Sequence, residues 1–301
     1  MAATRATQLP AAVSGERFEF DSSAGRLSVY VAGRGPPLLL VHSVNAAGSA
    51  AEVAPLHAHC RTTRSVFSID LPGFGFSERS DRPYTPRLMT DALHAVVAQI
   101  QSRCGSGPID ALALSLSCEF LARAAAEAPA SFGRLALVSP TGFRGLREWR
   151  GAPGSTRGLP WLYKLLRGPG WGSGLFRGLT RPAVIRYFLE RTWGAKSIDE
   201  ALWRYDLLTT RQPGAEFAPL HFLAAQLFSA DIHGVYDQLK GPVWMSHGVR
   251  GDFTDYRGSK AVAARPNWQT TVYPTGALPH FELPDRFCAD FDRFLGAATP
   301  A

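Results

Sequence analysis

Several features are scarce in this 301-residue sequence, and each scarcity removes a class of protein. No apolar run approaches the length needed to span a bilayer. The residues before Arg17 are rich in Ala, Thr and Gln and hold no apolar stretch, so no signal peptide is expected. Cysteine is sparse: Cys60, Cys104, Cys118 and Cys288 form no C-x-x-C pair and have no histidine at metal-ligand spacing. That pattern argues against a disulfide framework or a zinc site, and for reduced thiols in a cytoplasmic protein. No metal and no cofactor is implied. Internal repeats and low-complexity tracts are missing as well.

Negative charge is scarce in one segment. Between Arg144 and Arg211 thirteen Lys/Arg face five Asp/Glu, a net of +8 that leaves −1 for the rest of a chain whose total is +7. A basic segment without a helix-turn-helix, zinc-finger or RNA-binding signature does not make a nucleic-acid-binding protein. No nucleic-acid partner is expected.

What is present is a chain with 46% hydrophobic residues, enough for a sizeable core. Residues 17–20 and 26–31 flank Asp21-Ser22-Ser23-Ala24-Gly25 and read as a hairpin. Residues 38–41, 65–69, 109–114 and 135–139 are short apolar runs, the signature of strands covered on both faces. Residues 49–58 and 86–101 read as helices, the second capped by Thr85 with Pro86 in its first turn. This alternation predicts an open, largely parallel α/β sheet that binds ligands at the carboxyl ends of its strands. From Pro140 to Lys240 the rhythm breaks, and five of the seven tryptophans fall among many Arg, Gly and Pro. Helical pieces are expected there at 161–167, 182–192 and 197–209. Strands resume at 242–247 and 269–273, before a last helix over 284–295. The expected organisation is a flexible N-terminus (1–15), an α/β core (16–139 and 241–301) and a helical lid inserted over 140–240.

The stretch from Ile109 to Cys118 carries the chemistry. A strand that turns into a helix at one residue leaves that side chain standing on a sharp bend. The bend crowds the positions two before and two after it, and Ala113 and Ser117 are small. Ser115 therefore fits a nucleophile elbow in which Ala and Ser replace the usual glycines. Taken alone, the stretch also describes a buried strand followed by an ordinary helix with Ser115 as its N-cap.

Four motifs in order resemble the α/β-hydrolase family over about residues 16–295. The elbow is the first. Leu38-Leu39-Leu40-Val41-His42-Ser43-Val44-Asn45 is similar to the family's strand ending in His-Gly, with Ser43 in place of the glycine. Asp70-Leu71-Pro72-Gly73-Phe74-Gly75-Phe76-Ser77 fits the family's D-x-P-G-x-G-x-S loop almost completely. Asp252 and His280 follow Ser115 in the family's Ser, Asp, His order. The resemblance implies an α/β-hydrolase fold, with a mostly parallel sheet flanked by helices and a helical lid. A serine hydroxyl needs a base to take its proton, and the base needs a carboxylate to fix its tautomer. The resemblance assigns these roles to Ser115, His280 and Asp252, with Asp255 kept as an alternative acid because the loop is about one residue longer than the commonest form. It places the oxyanion-hole donors at the backbone N–H groups of Leu116 and Val44. Ser43 and Asn45 stand where a side chain adds a donor or touches the substrate. His42 is expected to orient the oxyanion loop, and His247 to be structural.

Serine at the elbow disfavours the family's dehalogenases and epoxide hydrolases, which use aspartate. The expected reaction is hydrolysis of a hydrophobic small-molecule carboxylic ester through an acyl-enzyme. Carbon–carbon bond hydrolysis, cofactor-free peroxidation and a non-catalytic binding protein of the same fold remain as alternatives. Trp161 and Leu165 are the expected substrate-binding residues of a hydrophobic lid pocket. Interleaved with Lys164, Arg167, Arg177 and Arg181, the lid's apolar residues also suit a weak contact with an anionic membrane surface. A third reading has the tryptophans packing the lid's own small core.

Overall fold

The computed structural model describes residues 9–168 and 171–296. Eight strands form one sheet: β1 (Glu16–Ser22), β2 (Gly25–Ala32), β3 (Pro37–Val41), β4 (Ser65–Asp70), β5 (Ile109–Leu114), β6 (Phe132–Val138), β7 (Val243–Gly248) and β8 (Trp268–Tyr273). Their spatial order is β1-β2-β4-β3-β5-β6-β7-β8. Only the β1/β2 and β2/β4 pairs are antiparallel; the other five are parallel. Among the described residues, α1 (Ala54–Cys60), α2 (Pro86–Cys104) and α3 (Ser117–Glu127) connect the first six strands. Six helices follow between β6 and β7: α4 (Pro160–Leu166), α5 (Gly172–Leu179), α6 (Pro182–Trp193), α7 (Glu200–Thr209), α8 (Phe217–Leu223) and α9 (Ile232–Asp237). The chain closes with α10 (Lys260–Ala263), α11 (Pro279–Glu282) and α12 (Pro284–Phe294).

Alternation along the central strands divides the core in two. Leu39, Val41, Ala111, Ala113 and Leu137 face a cluster that includes Met89, Leu93, Val96 and Ile100 of α2 and Phe120 and Leu121 of α3. Leu38, Leu40, Leu112, Leu114 and Val138 face the other, with Leu56 of α1 and Phe287, Phe291 and Phe294 of α12. Chain order leaves β3 outward to β4 and returns to β5 on the opposite side of β3. The loops after β3 and β5 therefore diverge, and that divergence opens a crevice at their carboxyl ends. Ser43 and Val44 lie on one of these loops and Ser115 on the other.

The expected strands and long helices form within about three residues of their predicted ends, except that the helix expected over 49–58 begins as a 3₁₀ turn, Ala50–Val53, before α1; Thr85 caps α2 by accepting from Leu88 N at 3.2 Å. Residues 9–15 differ from the expectation of a flexible tail; residues 1–8 of it lie outside the described residues. Leu9 and Val13 are buried, the Pro10 carbonyl accepts from Tyr205 Oη at 2.9 Å, and the Ser14 carbonyl accepts from His57 Nε2 at 2.8 Å. His57 is thus a buried tie between this segment and α1.

The helical insertion holds α5, α8 and α9 beyond the three helices expected. Glycines at 172, 174 and 178 read as turn residues in α5, since each costs about 1 kcal/mol against alanine in a helix interior. Both ends of the insertion meet in a narrow neck: Gly151 N donates to Ala230 O at 2.7 Å and Arg157 N to Phe228 O at 2.9 Å. Buried Glu119 of α3 grips this neck by accepting from Ser229 N at 2.7 Å and from Arg157 Nη2 at 3.2 Å.

Candidate active site

Ser115 sits on the bend between β5 and α3 with φ +51°. An N-cap residue ordinarily has extended backbone. A left-handed serine instead costs roughly 1–2 kcal/mol, and the N-cap position falls on Leu116. The reading of Ser115 as an ordinary cap is therefore corrected. Its N–H donates to Val138 O at 2.8 Å, which pins the elbow to β6. Among the described residues, neither the Leu116 N–H nor the Val44 N–H donates to a protein acceptor.

The loop after β3 is braced from two sides. Leu71 N donates to His42 Nε2 at 3.0 Å, so the neutral ring carries its proton on Nδ1 and gives it to Ser43 O at 2.6 Å. Burial pushes the His42 pKa down to about 4, which keeps that tautomer neutral. Glu52, buried in the 3₁₀ turn Ala50–Val53, accepts from Ser43 N at 2.7 Å and from Asn45 Nδ2 at 2.6 Å. Asn45 Nδ2 also donates to Ser43 Oγ at 3.0 Å, while Asn45 Oδ1 accepts from Ala47 N at 2.7 Å. Both polar ends of Asn45 are thus engaged within the loop. Asp70 holds the neighbouring loop by accepting from Ala50 N and Phe76 N at 2.9 and 3.0 Å. Gly75 has φ +50°, and a Cβ there would lie 2.0 Å from the Asp70 carboxyl carbon. The D-x-P-G-x-G-x-S motif therefore works here as a brace.

Ser115, His280 and Asp252 are not joined by hydrogen bonds. His280 is fully buried; its Nε2 donates to Glu52 O at 2.8 Å, and its Nδ1 has no partner among the described residues. Burial holds its pKa at about 4, so the ring is neutral at pH 7. Asp252 is exposed and forms a two-pronged ion pair with Arg191 of α6, with Nη2 to Oδ1 at 2.6 Å. Asp255 accepts from Gly145 N at 3.1 Å and pairs with Arg257 at 2.8 Å. Neither acid hydrogen-bonds to His280; each pairs instead with an exposed arginine. The last turn of α6 joins the two loops: Arg191 O accepts from Asp252 N at 3.1 Å and Thr192 O from Ala277 N at 2.9 Å.

Sequence reasoning missed Glu52 and its neighbour Asp206. The buried face of α7, with Leu202, Tyr205, Asp206 and Thr209 at helical spacing, lies over the Glu52 turn. Asp206 Oδ1 is buried without a hydrogen-bond partner among the described residues. Burial, and then the nearby Glu52 carboxyl, push the Asp206 pKa well up. No pattern in the sequence marks either residue, since their burial depends on two segments far apart in the chain. A carboxyl with a raised folded pKa contributes full stability at low pH and loses it as pH rises from the ordinary carboxylate range. Asp206→Asn removes that loss and puts a donor beside Glu52. It is expected to stabilise the protein by about 1–3 kcal/mol at pH 8 and by much less at pH 4. Urea unfolding at both pH values checks this, and an equal gain at both would refute the linkage.

The expected pocket residues Trp161 and Leu165 are not at the bend. They lie on the outer side of α4, a helix with no fully buried residue. Seven residues give α4 too few turns to bury an apolar stripe against the core. His247 is structural as expected, stacking on Tyr256 with ring centroids 3.9 Å apart. No group of three or more potential metal ligands converges among the described residues.

Strand order, elbow and braced loop define an α/β-hydrolase architecture. The chain belongs to the alpha/beta hydrolase family, which it matches over residues 38–290. Several solved structures share the fold. The epoxide hydrolase CorEH superposes with a TM-score of 0.72 at 17% identity, covering 93% of this chain and 98% of its own. An enol-lactonase from Burkholderia xenovorans LB400 gives 0.69 at 16% identity, covering 92% and 99%. A carboxylesterase from Bacillus subtilis gives 0.68 at 16% identity, covering 95% and 93%. No curated protein matches by sequence. Likeness at these identities shows the fold alone, so the reaction must be argued from the site.

Proposed function

We propose that this protein is a serine hydrolase that cleaves hydrophobic carboxylic esters through an acyl-enzyme. The observation that carries the reading is Ser115, a non-glycine residue strained at φ +51° on the bend between strand and helix. Strain of this kind costs roughly 1–3 kcal/mol and persists where the side chain has a task. Two uncommitted N–H groups, Leu116 and Val44, support the same reading as donors for a developing oxyanion.

In this mechanism Ser115 Oγ attacks the ester carbonyl as His280 takes its proton. The oxyanion rests on Leu116 and Val44, and the tetrahedral intermediate collapses as His280 returns the proton to the departing alcohol. Water then attacks the acyl-enzyme by the same route and releases the acid. Asp252 is the carboxylate that orients His280, and the helical insertion is a lid. Closing the relay takes two exchanges, in which His280 leaves Glu52 O and Asp252 leaves Arg191. An exposed ion pair contributes little stability, so its release is easy. Because the loops carrying Asp252 and His280 both bond to the last turn of α6, one movement of the insertion supplies both exchanges.

The unjoined His280 and Asp252 favour one second reading, a binding protein of this fold without catalysis. Exposure to a fluorophosphonate probe, followed by p-nitrophenyl esters of increasing chain length, separates the two. A catalyst labels and turns over esters, whereas a binding protein does neither. In the catalytic case Arg191→Ala frees Asp252 and is expected to raise the labelling rate severalfold. An unchanged rate would remove the Arg191 pair from the mechanism.

A further inference from the structure

We infer that the outer face of the insertion docks on an anionic phospholipid surface, a property independent of whether Ser115 is catalytic. Seven of the twelve large hydrophobic side chains exposed among the described residues fall between Leu159 and Phe188, about a tenth of the chain. Single exposed apolar residues are ordinary, but such a concentration marks a contact surface. Trp161 is 63% exposed and Leu165, one turn on, 48%. Trp171 is 53% exposed, yet its indole folds back on the end of α4, where a Cβ at Gly168 would lie 1.6 Å from Nε1. Trp161 and Leu165 lie one turn apart on α4, and Leu175, one turn on from Trp171, donates its N–H to Trp171 O at 2.7 Å, so α4 and the start of α5 both present exposed apolar side chains.

Charge selects the partner. From Leu159 to Phe188 the chain has five Lys/Arg and no Asp/Glu. Lys164 and Arg181 are exposed and take part in no ion pair among the described residues. A second copy of this chain placed symmetrically on the face would oppose like charges. A nucleic acid would leave the leucines and tryptophans uncovered. Bilayer interfaces accept both features, with indoles at headgroup depth and cations at anionic lipid. Among the described residues no helix is long and apolar enough to cross a membrane.

Cosedimentation of the full chain with lipid vesicles tests this. The protein should pellet with phosphatidylcholine vesicles that contain phosphatidylglycerol, at least tenfold more strongly than with phosphatidylcholine alone, and salt should weaken the binding. Lys164→Glu with Arg181→Glu should lower the partition coefficient roughly tenfold or more. Trp161→Ala with Trp171→Ala should lower it by a similar factor while the thermal midpoint holds. Equal pelleting with both vesicle types, or variants that pellet like wild type, overturns the inference. So does a lipid-free dimer that the tryptophan variant returns to monomer, because the face would then belong to a second copy.

Discussion

Ser115→Ala is expected to abolish labelling by a fluorophosphonate and to lower ester turnover by roughly a thousandfold or more. The reason is chemical: in the proposed mechanism Oγ is the atom that forms the covalent bond. Ser115→Gly should be equally inactive yet differ in stability. At φ +51° an alanine keeps the left-handed penalty and a glycine does not. The glycine variant is therefore expected to be more stable than the alanine variant by about 1 kcal/mol, read by urea unfolding. Persistent labelling in the alanine variant would move the nucleophile elsewhere. Equal stability of the two would remove strain from the account of the bend.

Glu52→Ala has the next largest expected effect. The Glu52 carboxylate accepts from Ser43 N and Asn45 Nδ2, and its carbonyl holds His280 Nε2. Truncation leaves the buried Ser43 N–H without its acceptor, at roughly 1–3 kcal/mol, and takes one of two acceptors from Asn45 Nδ2. It also loosens the loop that presents the Val44 N–H. A misplaced oxyanion donor costs roughly a hundredfold or more in rate. Glu52→Gln preserves an acceptor oxygen and removes the acid beside Asp206, so most of the stability should return. Glu52 is thus a positioning residue, and the glutamine rescue separates that role from simple packing. Thermal unfolding and labelling rates measure both effects. Wild-type values in Glu52→Ala would refute the brace.

The central strands were legible because both of their faces are buried, so their apolar runs are unbroken and bounded by Gly, Pro and polar loops. The elbow was legible because its steric demand falls on neighbours two residues away. Thr85 and Pro86 marked the start of α2 through capping, which is also local. The segment 9–15 and the short helices α5, α8 and α9 escaped notice because packing against distant residues stabilises them over their own propensities. Asp252 was singled out by its place in chain order, but chain order says nothing of Arg191, which the insertion brings to it from another part of the chain.

By itself the sequence determined which segments become strands, the loops that carry the motifs and the serine on the bend, all consequences of local pattern and chain connectivity. Only the tertiary structure decided which polar groups are buried together. It set Glu52 against the loop after β3, Asp206 near Glu52, His280 on a carbonyl and Asp252 on an arginine. Charge burial and hydrogen-bond pairing depend on distances between segments that meet only when the chain has folded.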